Sequence, residues 1–529
     1  MNFISAFEVI GPNMVGPSSS HTAGAVSIGK MARKLFKEKV TEVTFTLYGS
    51  FARTYKGHGT DRALLGGVLG FATDDLRIRD AFSWAEKMGV KYQYIADKEF
   101  VPDHPNTVDI RMTGENGTKM QVQGQSIGGG KIKITQINGI NVEFTGEYST
   151  LVVKQIDKPG VVTHITQCLS NQNVNIAFMR LFREGKGKTA YSVVESDERI
   201  PDEILEEIRQ NPYVQEIFAD SDIGETDRMT DFKNGQELLE VCKKKQCSIS
   251  EVMKQREIEG TSSTKKEVED KMRKALAIMK EAVRKPLEDP KPSMSGLIGG
   301  EAKQITGYRE SGTNVCGTFM NKLIAYSMAV LEVNASMGVI VAAPTAGSSG
   351  VVPGVLLALQ EEKGFGDEQM TDALFHTAAI GYLLMRNASV AGAEAGCQAE
   401  VGAASAMAAA AVTELMGGTP EMCLQAAAMA ISNLLGLVCD PVAGLVEVPC
   451  QSRNAIGAVN AVTCAEITLS GVMYPIPFDE MVDAMYKVGK SIPFELRETA
   501  IGGCAGTPTG CGNALQKSDG KTDRKIKNV

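Results

Sequence analysis

Residues 149–172 read STLVVKQIDKPGVVTHITQCLSNQ, and the hydrophobic period changes inside them. Residues 151–155 are a run of β-type side chains, Asp157-Lys158-Pro159-Gly160 supplies turn chemistry, and Val162, Ile165 and Leu169 then recur at helical spacing. Strand-like runs follow at 174–182 and 189–195, separated by the turn Glu184-Gly185-Lys186-Gly187. A second helix is expected from Pro201, and a last strand around 214–218.

That order, βαββαβ, predicts a split unit of ferredoxin-like type over residues 149–220. Outward from it the chain changes character on both sides. Residues 1–146 mix short β-type runs, VTFTL at 43–47 and VDIRM at 108–112, with Gly-rich turns, and read as an α/β domain. Residues 221–235 are acidic and polar and read as a linker. From 236 to 529 the reading is mostly α-helical. Ser248-x-x-Glu251 and Thr264-x-x-Glu267 are capping boxes, and the second leads into Val268, Met272, Ala275, Met279 and Val283 on one face, with Pro286, Pro290 and Pro292 expected to end the helix. A multi-domain fold is expected, since 529 residues hold about three domains of ordinary size.

Composition narrows the function. The net charge is -8 and no stretch joins clustered Lys and Arg to interleaved aromatics, so nucleic acid is not an expected partner. The longest small-apolar stretch, VGAASAMAAAAVTELM at 401–416, is interrupted by Ser405, Thr413 and Glu414 and falls short of the about 20 residues that a membrane span needs. It reads as a buried helix, and no membrane association is expected. Residues 1–20 lack a basic n-region and a long apolar run, so secretion is not expected either. Eleven cysteines, an odd number, point to reduced thiols in the cytoplasm rather than to a disulfide framework. No phosphate-binding loop or dinucleotide fingerprint stands between a strand and a helix.

Chemistry-bearing residues fall in two regions. GPSSSHTAGA, residues 16–25, sets Ser18, Ser20, His21 and Thr22 among glycines, which suits a carboxylate or, equally, a cap for the helix behind it. Of only five histidines, His21, His58 in YKGHGTD and His104 in DHPNT occupy loop-like settings where a ring can act as acid or base near neutrality. In the helical region Cys397, Cys439 and Cys450 are flanked by Gly or Pro, whereas Cys168, Cys423 and Cys464 sit in apolar helical runs and read as small hydrophobes. The spacing C-x41-C-x10-C lacks the clustering of common metal sites, yet three thiolates on a [4Fe–4S] cluster would leave one iron open as a Lewis acid. Cys242 and Cys247 read as an incidental pair, and His164 and His376 as structural residues. The loops SGLIGGEAK, ESGTNVCG and APTAGSSG, the last carrying Thr345 and Ser348, have backbone N–H groups and hydroxyls suited to orienting a zwitterion.

Taken together, GPSSSHTAGA, LYGSFARTYKGHGTD, HPNT, SGLIGGEAK, APTAGSSG, GAEAGCQAEVG and CDPVAGLVEVPCQSRN resemble the motifs of the iron–sulfur L-serine dehydratases, in order and over nearly the whole chain. The unit at 149–220 resembles the ACT regulatory domain. The resemblance implies β-type, ACT-like and catalytic α-type portions fused in one polypeptide, with Cys397, Cys439 and Cys450 ligating a [4Fe–4S] cluster and no pyridoxal phosphate. It implies that L-serine loses water to give aminoacrylate, which becomes pyruvate and ammonia. His58 would be the base or part of its relay, with His104 and His21 supporting it, and Ser18, Ser20, Thr22, Thr345 and Ser348 would surround the substrate. The ACT likeness implies an amino-acid effector near Asp157 and Gly160, and a homodimer is expected. Some family members end in a cysteine that caps the open iron. Here Cys511 is the best positional match and Cys504 its rival, but about eighteen residues follow Cys511. Two other readings stand beside this one: a related hydro-lyase acting on another β-hydroxy acid such as threonine, and an amino-acid- or redox-sensing protein with a structural metal site.

Overall fold

The computed structural model describes residues 3–36, 38–145, 149–196, 200–220, 230–261, 263–312 and 314–511, so residues 221–229 of the expected linker lie outside it. The chain divides into two compact units. One comprises Met1–Glu8, Ser19–Asp231 and Val252–Lys271; the other comprises Val9–Ser18, Phe232–Glu251 and Met272–Val529.

The first unit holds two sheets. The larger has the strand order Lys91–Ala96, Val40–Leu47, Thr107–Gly114, Lys119–Gly128, Lys131–Ile137, Ile140–Phe144. Its first pair is parallel and the rest are antiparallel. Val43, Phe45 and Leu47 are fully buried while the alternating Thr44 and Thr46 are half-buried, as a pleated strand with one core face requires. The helices Gly24–Leu35 and Thr60–Val68 cross at two glycines. A Cβ on Gly29 would lie 2.5 Å from the Leu64 carbonyl oxygen, and one on Gly67 would lie 2.3 Å from that of Val26. No larger residue fits without separating the helices. Ile28 then seats on Gly124, where a Cβ would come within 2.5 Å of its Cγ2. These contacts fix the helix that follows the Ser-rich loop.

The smaller sheet runs Val214–Asp220, Ser149–Ile156, Thr189–Ser196, Phe178–Arg183, all antiparallel. Its core joins Leu151, Val153, Val194 and Ile217 to Val161, Ile165 and Leu169 of the helix Val161–Asn171 and to Ile204 and Ile208 of the helix Asp202–Arg209. Two details differ from the sequence reading. Val161, not Val162, faces the core, because Gly160 at φ +90° opens the helix directly before it. The strand expected from residue 174 begins at Phe178, because the Val174 N–H turns back to the Leu169 carbonyl (3.0 Å) and closes the helix.

The second unit is helical. Its central helix, Val401–Leu415, buries Ala403, Ala404, Ala406, Ala408, Ala409, Ala410 and Ala411 completely. The helices Val351–Lys363, Asp367–Asn387, Pro420–Asn433 and Cys450–Leu469 pack around it. The small side chains allow backbones to meet: Ser405 Oγ donates to the Gly457 carbonyl at 2.8 Å. A short antiparallel pair, Asn13–Val15 with Val339–Val341, also belongs to this unit. The capping box before the helix Lys265–Glu288 is reciprocal, with Glu267 N–H on Thr264 Oγ1 (3.3 Å) and Thr264 N–H on Glu267 Oε2 (2.8 Å). That helix continues two residues past the expected stop at Pro286, and the Asp289 N–H still bonds the Lys285 carbonyl at 2.8 Å. Among the described residues no helix is long and apolar enough to cross a membrane.

Candidate functional site

In the first unit the Ser-rich loop winds into a single wide turn, Ser19–Ala23, that runs straight into the helix Gly24–Leu35. The turn aims His21 inward, where it is fully buried. His21 Nε2 lies 2.8 Å from Ser50 Oγ, and its ring stacks on that of His58 with centroids 4.5 Å apart and planes at 24°. Phe51 meets the His21 ring edge-on at 5.3 Å. His58 follows the helix Gly49–Thr54, and its N–H bonds the Thr54 carbonyl at 3.1 Å. The Thr22 hydroxyl donates to the His58 carbonyl at 2.8 Å, tying the two histidine segments together.

Burial drives the His58 ring down to about 4. It also holds His21 well below its ordinary value, and the neighbouring His58 and His104 add to the effect. Both rings are therefore neutral near pH 7. His104 is half-buried in electrostatic reach of His21, with its Nδ1 accepting the Asn106 N–H at 3.2 Å. The three histidines singled out in the sequence are thus gathered at one place. Ser20 is half-buried on the turn, while Ser18 is buried at the end of a segment that belongs to the second unit.

In the second unit Cys397, Cys439 and Cys450 leave three different backbone breaks. Cys397 starts a short turn after Gly396, whose φ of +73° and close neighbours, Leu437 O at 2.8 Å from a Cβ, admit only glycine. Cys439 sits in an isolated bridge, with its N–H on the Leu496 carbonyl (2.9 Å) and its carbonyl receiving the Glu498 N–H (2.7 Å). Cys450 opens the helix Cys450–Leu469. Cys439 lies in electrostatic reach of both other thiols, and Cys450 of Cys397. Burial, then Glu400, pushes Cys397 up to about 12; burial first pushes Cys439 and Cys450 well above the ordinary thiol range. Three such thiols stay protonated unless a positively charged, sulfur-binding group replaces the protons.

Around them stand residues that the sequence reading passed over. Glu400 accepts the Thr345 hydroxyl (2.8 Å) on one oxygen and the Cys439 thiol (3.6 Å) on the other. Its carboxylate is pressed between Gly347 and Gly392; a Cβ on Gly392 would lie 2.5 Å from Glu400 Oε2 and 3.1 Å from Cys439 Sγ. Thr345 is also 3.1 Å from Ser348, whose hydroxyl reaches the Ala343 carbonyl, so both expected substrate-binding hydroxyls are already engaged beside Glu400. Arg453 bonds Asp440 and the Val438 carbonyl, each at 2.7 Å. Burial opposes the charge of Asp440, but the Cys504 N–H (2.6 Å) and Arg453 outweigh it and lower the carboxyl. The SGLIGGEAK loop is held by two carboxylates: Glu332 takes the N–H groups of Gly300 and Ala302, and Glu447 takes the Ser293 and Ser295 hydroxyls. Gln451, next to Cys450, donates to Glu332 at 3.3 Å. Glu400, Asp440 and Glu447 lie inside quoted motifs and Glu332 lies outside all of them, on the helix Gly317–Ala335, but nothing in their spacing marks them.

The C-terminal turns 503–506 and 508–511 pack on the loop 442–444 between two of the cysteines. Cys504 lies in electrostatic reach of Asp440 and Arg453, whereas Cys511 is exposed and its thiol reaches the Ala505 carbonyl at 3.0 Å. In the smaller sheet unit the Asp157 carboxylate accepts the Gly187 N–H (3.2 Å) and lies 3.4 Å from Arg183, while Gly160 opens the helix beside it.

Comparison with known proteins agrees with this layout. Residues 5–93 match the serine dehydratase beta chain family, residues 149–212 the ACT domain, and residues 244–505 the serine dehydratase alpha chain family. The chain is 50% identical over 279 residues to a probable L-serine dehydratase alpha chain of Bacillus subtilis, covering 53% of this chain and 93% of that one. It is 40% identical over 222 residues to the probable beta chain of the same organism, covering 42% of this chain and 100% of that one. A Helicobacter pylori protein named L-serine dehydratase is 30% identical over 511 residues, covering 93% of this chain and 96% of its own. With the beta-type, ACT and alpha-type segments following one another in a single polypeptide, the chain belongs to the L-serine dehydratase family.

Proposed function

We propose that the chain is an L-serine dehydratase that eliminates water from L-serine to give pyruvate and ammonia, and that Cys397, Cys439 and Cys450 hold a [4Fe–4S] cluster. The observation that carries this reading is the gathering of three thiols, Cys397 and Cys439 buried and Cys450 half-buried, each from its own backbone break, around Glu400. The donor set fits: all sulfur, three in number, and unable to ionise in place without a cationic partner. When bound, such a cluster supplies one iron with an open position that can act as a Lewis acid on a hydroxyl oxygen.

The chain's own residues supply positioning and proton transfer. His58 is our candidate for the base: its ring is in the free-base form at neutral pH, as proton abstraction requires. His21, stacked on it and held by Ser50, keeps the ring in place and offers a second nitrogen for relay, with His104 beside it. Thr22 acts through the His58 backbone rather than as a free hydroxyl. Ser18 and Ser20 remain candidates for the substrate carboxylate. Thr345 and Ser348 support Glu400, which in turn orients Cys439. Aminoacrylate tautomerises and hydrolyses unaided, so no role for pyridoxal phosphate is proposed.

We further assign residues 1–146, 149–220 and 236–529 as beta-type, ACT and catalytic domains, the middle one of ferredoxin-like type, in a cytoplasmic homodimer. The strand order and paired helices of the smaller sheet support the middle assignment. The eleven free thiols support the compartment. An amino-acid effector near Asp157 and Gly160 is supported by the turn that Asp157 gathers there. Of the two possible caps, Cys504 is favoured over Cys511 by its place beside Asp440. Threonine differs from serine by one methyl, worth about 1–3 kcal/mol in a pocket, so kcat/KM for the two should differ by about fivefold to a hundredfold.

The test is anaerobic purification followed by a visible spectrum and a pyruvate assay with L-serine, before and after brief exposure to air. A brown protein whose activity falls as the colour bleaches supports the reading. Colourless, zinc-loaded and inactive protein, made where clusters assemble, would move the assignment to a sensing protein with a structural metal.

A further inference from the structure

The central helix Val401–Leu415 has Glu400 before its first turn and Glu414 in its last, about 20 Å apart along the axis. Glu414 has its own company. His376, fully buried on the helix Asp367–Asn387, places Nδ1 2.9 Å from Glu414 Oε2. Cys423, fully buried on the helix Pro420–Asn433, completes a trio whose ligand atoms all lie within 4.8 Å of one another. Cys242, on the helix Gly235–Lys245, is in electrostatic reach of Glu414 and Cys423, and Cys247 is in reach of Glu414.

A buried thiol is usually a small hydrophobe, and that accounts for Cys423 alone. It does not account for His376, whose two ring nitrogens are buried with no hydrogen-bond partner among the described residues, although Nδ1 comes within 2.9 Å of Glu414 Oε2. A ring nitrogen without a partner in a packed interior costs stability, and such groups call for a ligand or ion. Imidazole, carboxylate and thiol converging from three helices form a mixed N, O and S set, with the Cys242 thiol on a fourth helix in electrostatic reach. Zinc accepts that set in tetrahedral geometry.

We propose that His376, Glu414 and Cys423, with Cys242 or Cys247 as the fourth ligand, bind one zinc-class divalent ion at the far end of the central helix from Glu400. Each ligating thiol gives its proton to water as the metal–sulfur bond forms. With four protein ligands the site is structural, tying the helices 235–245, 367–387, 401–415 and 420–433 together. Glu414 also accepts the Ile249 N–H at 3.0 Å, a contact that fixes its orientation toward His376 and Cys423.

The test uses the full chain, purified anaerobically from zinc-supplemented cells, with zinc and iron counted separately by mass spectrometry. We expect about one zinc per chain that survives a chelator wash, and a drop of tenfold or more in His376→Gln and in Cys423→Ser with iron unchanged. Counting both metals separates this site from the cluster: iron missing with zinc present overturns the cluster reading alone. Zinc at background in the wild type, or zinc lost in Cys397→Ser but kept in Cys423→Ser, overturns the proposal. Should the variants fail to fold, zinc-edge X-ray absorption of the wild type decides. Mixed shells at about 2.3 Å for sulfur and about 2.0 Å for nitrogen and oxygen support the site, and a pure sulfur or pure oxygen shell refutes it.

Discussion

Replacing Arg453 by Met should loosen the cysteine region by a calculable amount. Asp440 is 2% exposed, and its carboxylate has two partners, Arg453 at 2.7 Å and the Cys504 N–H at 2.6 Å. Removing one member of a buried pair leaves an uncompensated charge, typically at a cost of 3–5 kcal/mol. The Arg453 side chain is 17% exposed, which places the cost at the lower end, about 3 kcal/mol. The Cys504 amide reports the effect locally, avoiding a global unfolding curve that a multi-domain chain would blur. Its hydrogen exchange should quicken by about a hundredfold in Arg453→Met, since each 1.4 kcal/mol is a factor of ten. Asp440→Asn should cost less, about 1.5–3 kcal/mol, for a weakened charge-assisted hydrogen bond. The double variant has no charge left to strand, so its loss should fall short of the sum of the singles by about 2 kcal/mol. Strictly additive losses, or unchanged Cys504 protection in Arg453→Met, would refute the idea that the guanidinium acts through Asp440.

Three further outcomes are expected. The His58 ring protonates near 4 when folded and near 6.5 when unfolded, so the unfolded chain binds the extra proton between those values. Stability is therefore whole above about pH 6.5 and should fall by about 3 kcal/mol toward pH 4, a slope in urea titrations that His58→Gln should flatten. Gly67→Val places a Cβ 2.3 Å from the Val26 carbonyl and should destabilise the first unit by about 3 kcal/mol or more, read as a lower midpoint in its far-ultraviolet melt; an unchanged midpoint would mean the helix crossing yields. Gly392→Ala crowds Glu400 and Cys439 together and should lower iron per chain at constant protein yield, whereas full iron loading would show that this contact is dispensable.

How far the sequence could be read depended on range. Strands such as Val40–Leu47 and the capping box at Thr264 and Glu267 rest on neighbours within a few residues, so period and cap chemistry revealed them. The three histidines and three cysteines could be named because rare residue types in Gly- and Pro-broken settings stand out one by one. Glu400, Arg453 and Asp440 could not: an acid in an alanine-rich helix start looks like any solvated residue until tertiary packing buries it against Thr345 and Cys439. The same limit made His376 and Cys423 read as filler, since their common partner Glu414 lies on a third helix.

The strand pair Asn13–Val15 with Val339–Val341 bears on why one polypeptide suffices. Its first member comes from the part of the sequence that matches the beta chain, its second from the part that matches the alpha chain. Three residues of ladder give little affinity on their own. Carried on one chain, the two strands meet at an effective concentration set by the chain between them rather than at the concentration of free subunits. The pairing then withstands dilution, and synthesis of the two halves in equal amounts is assured by a single message.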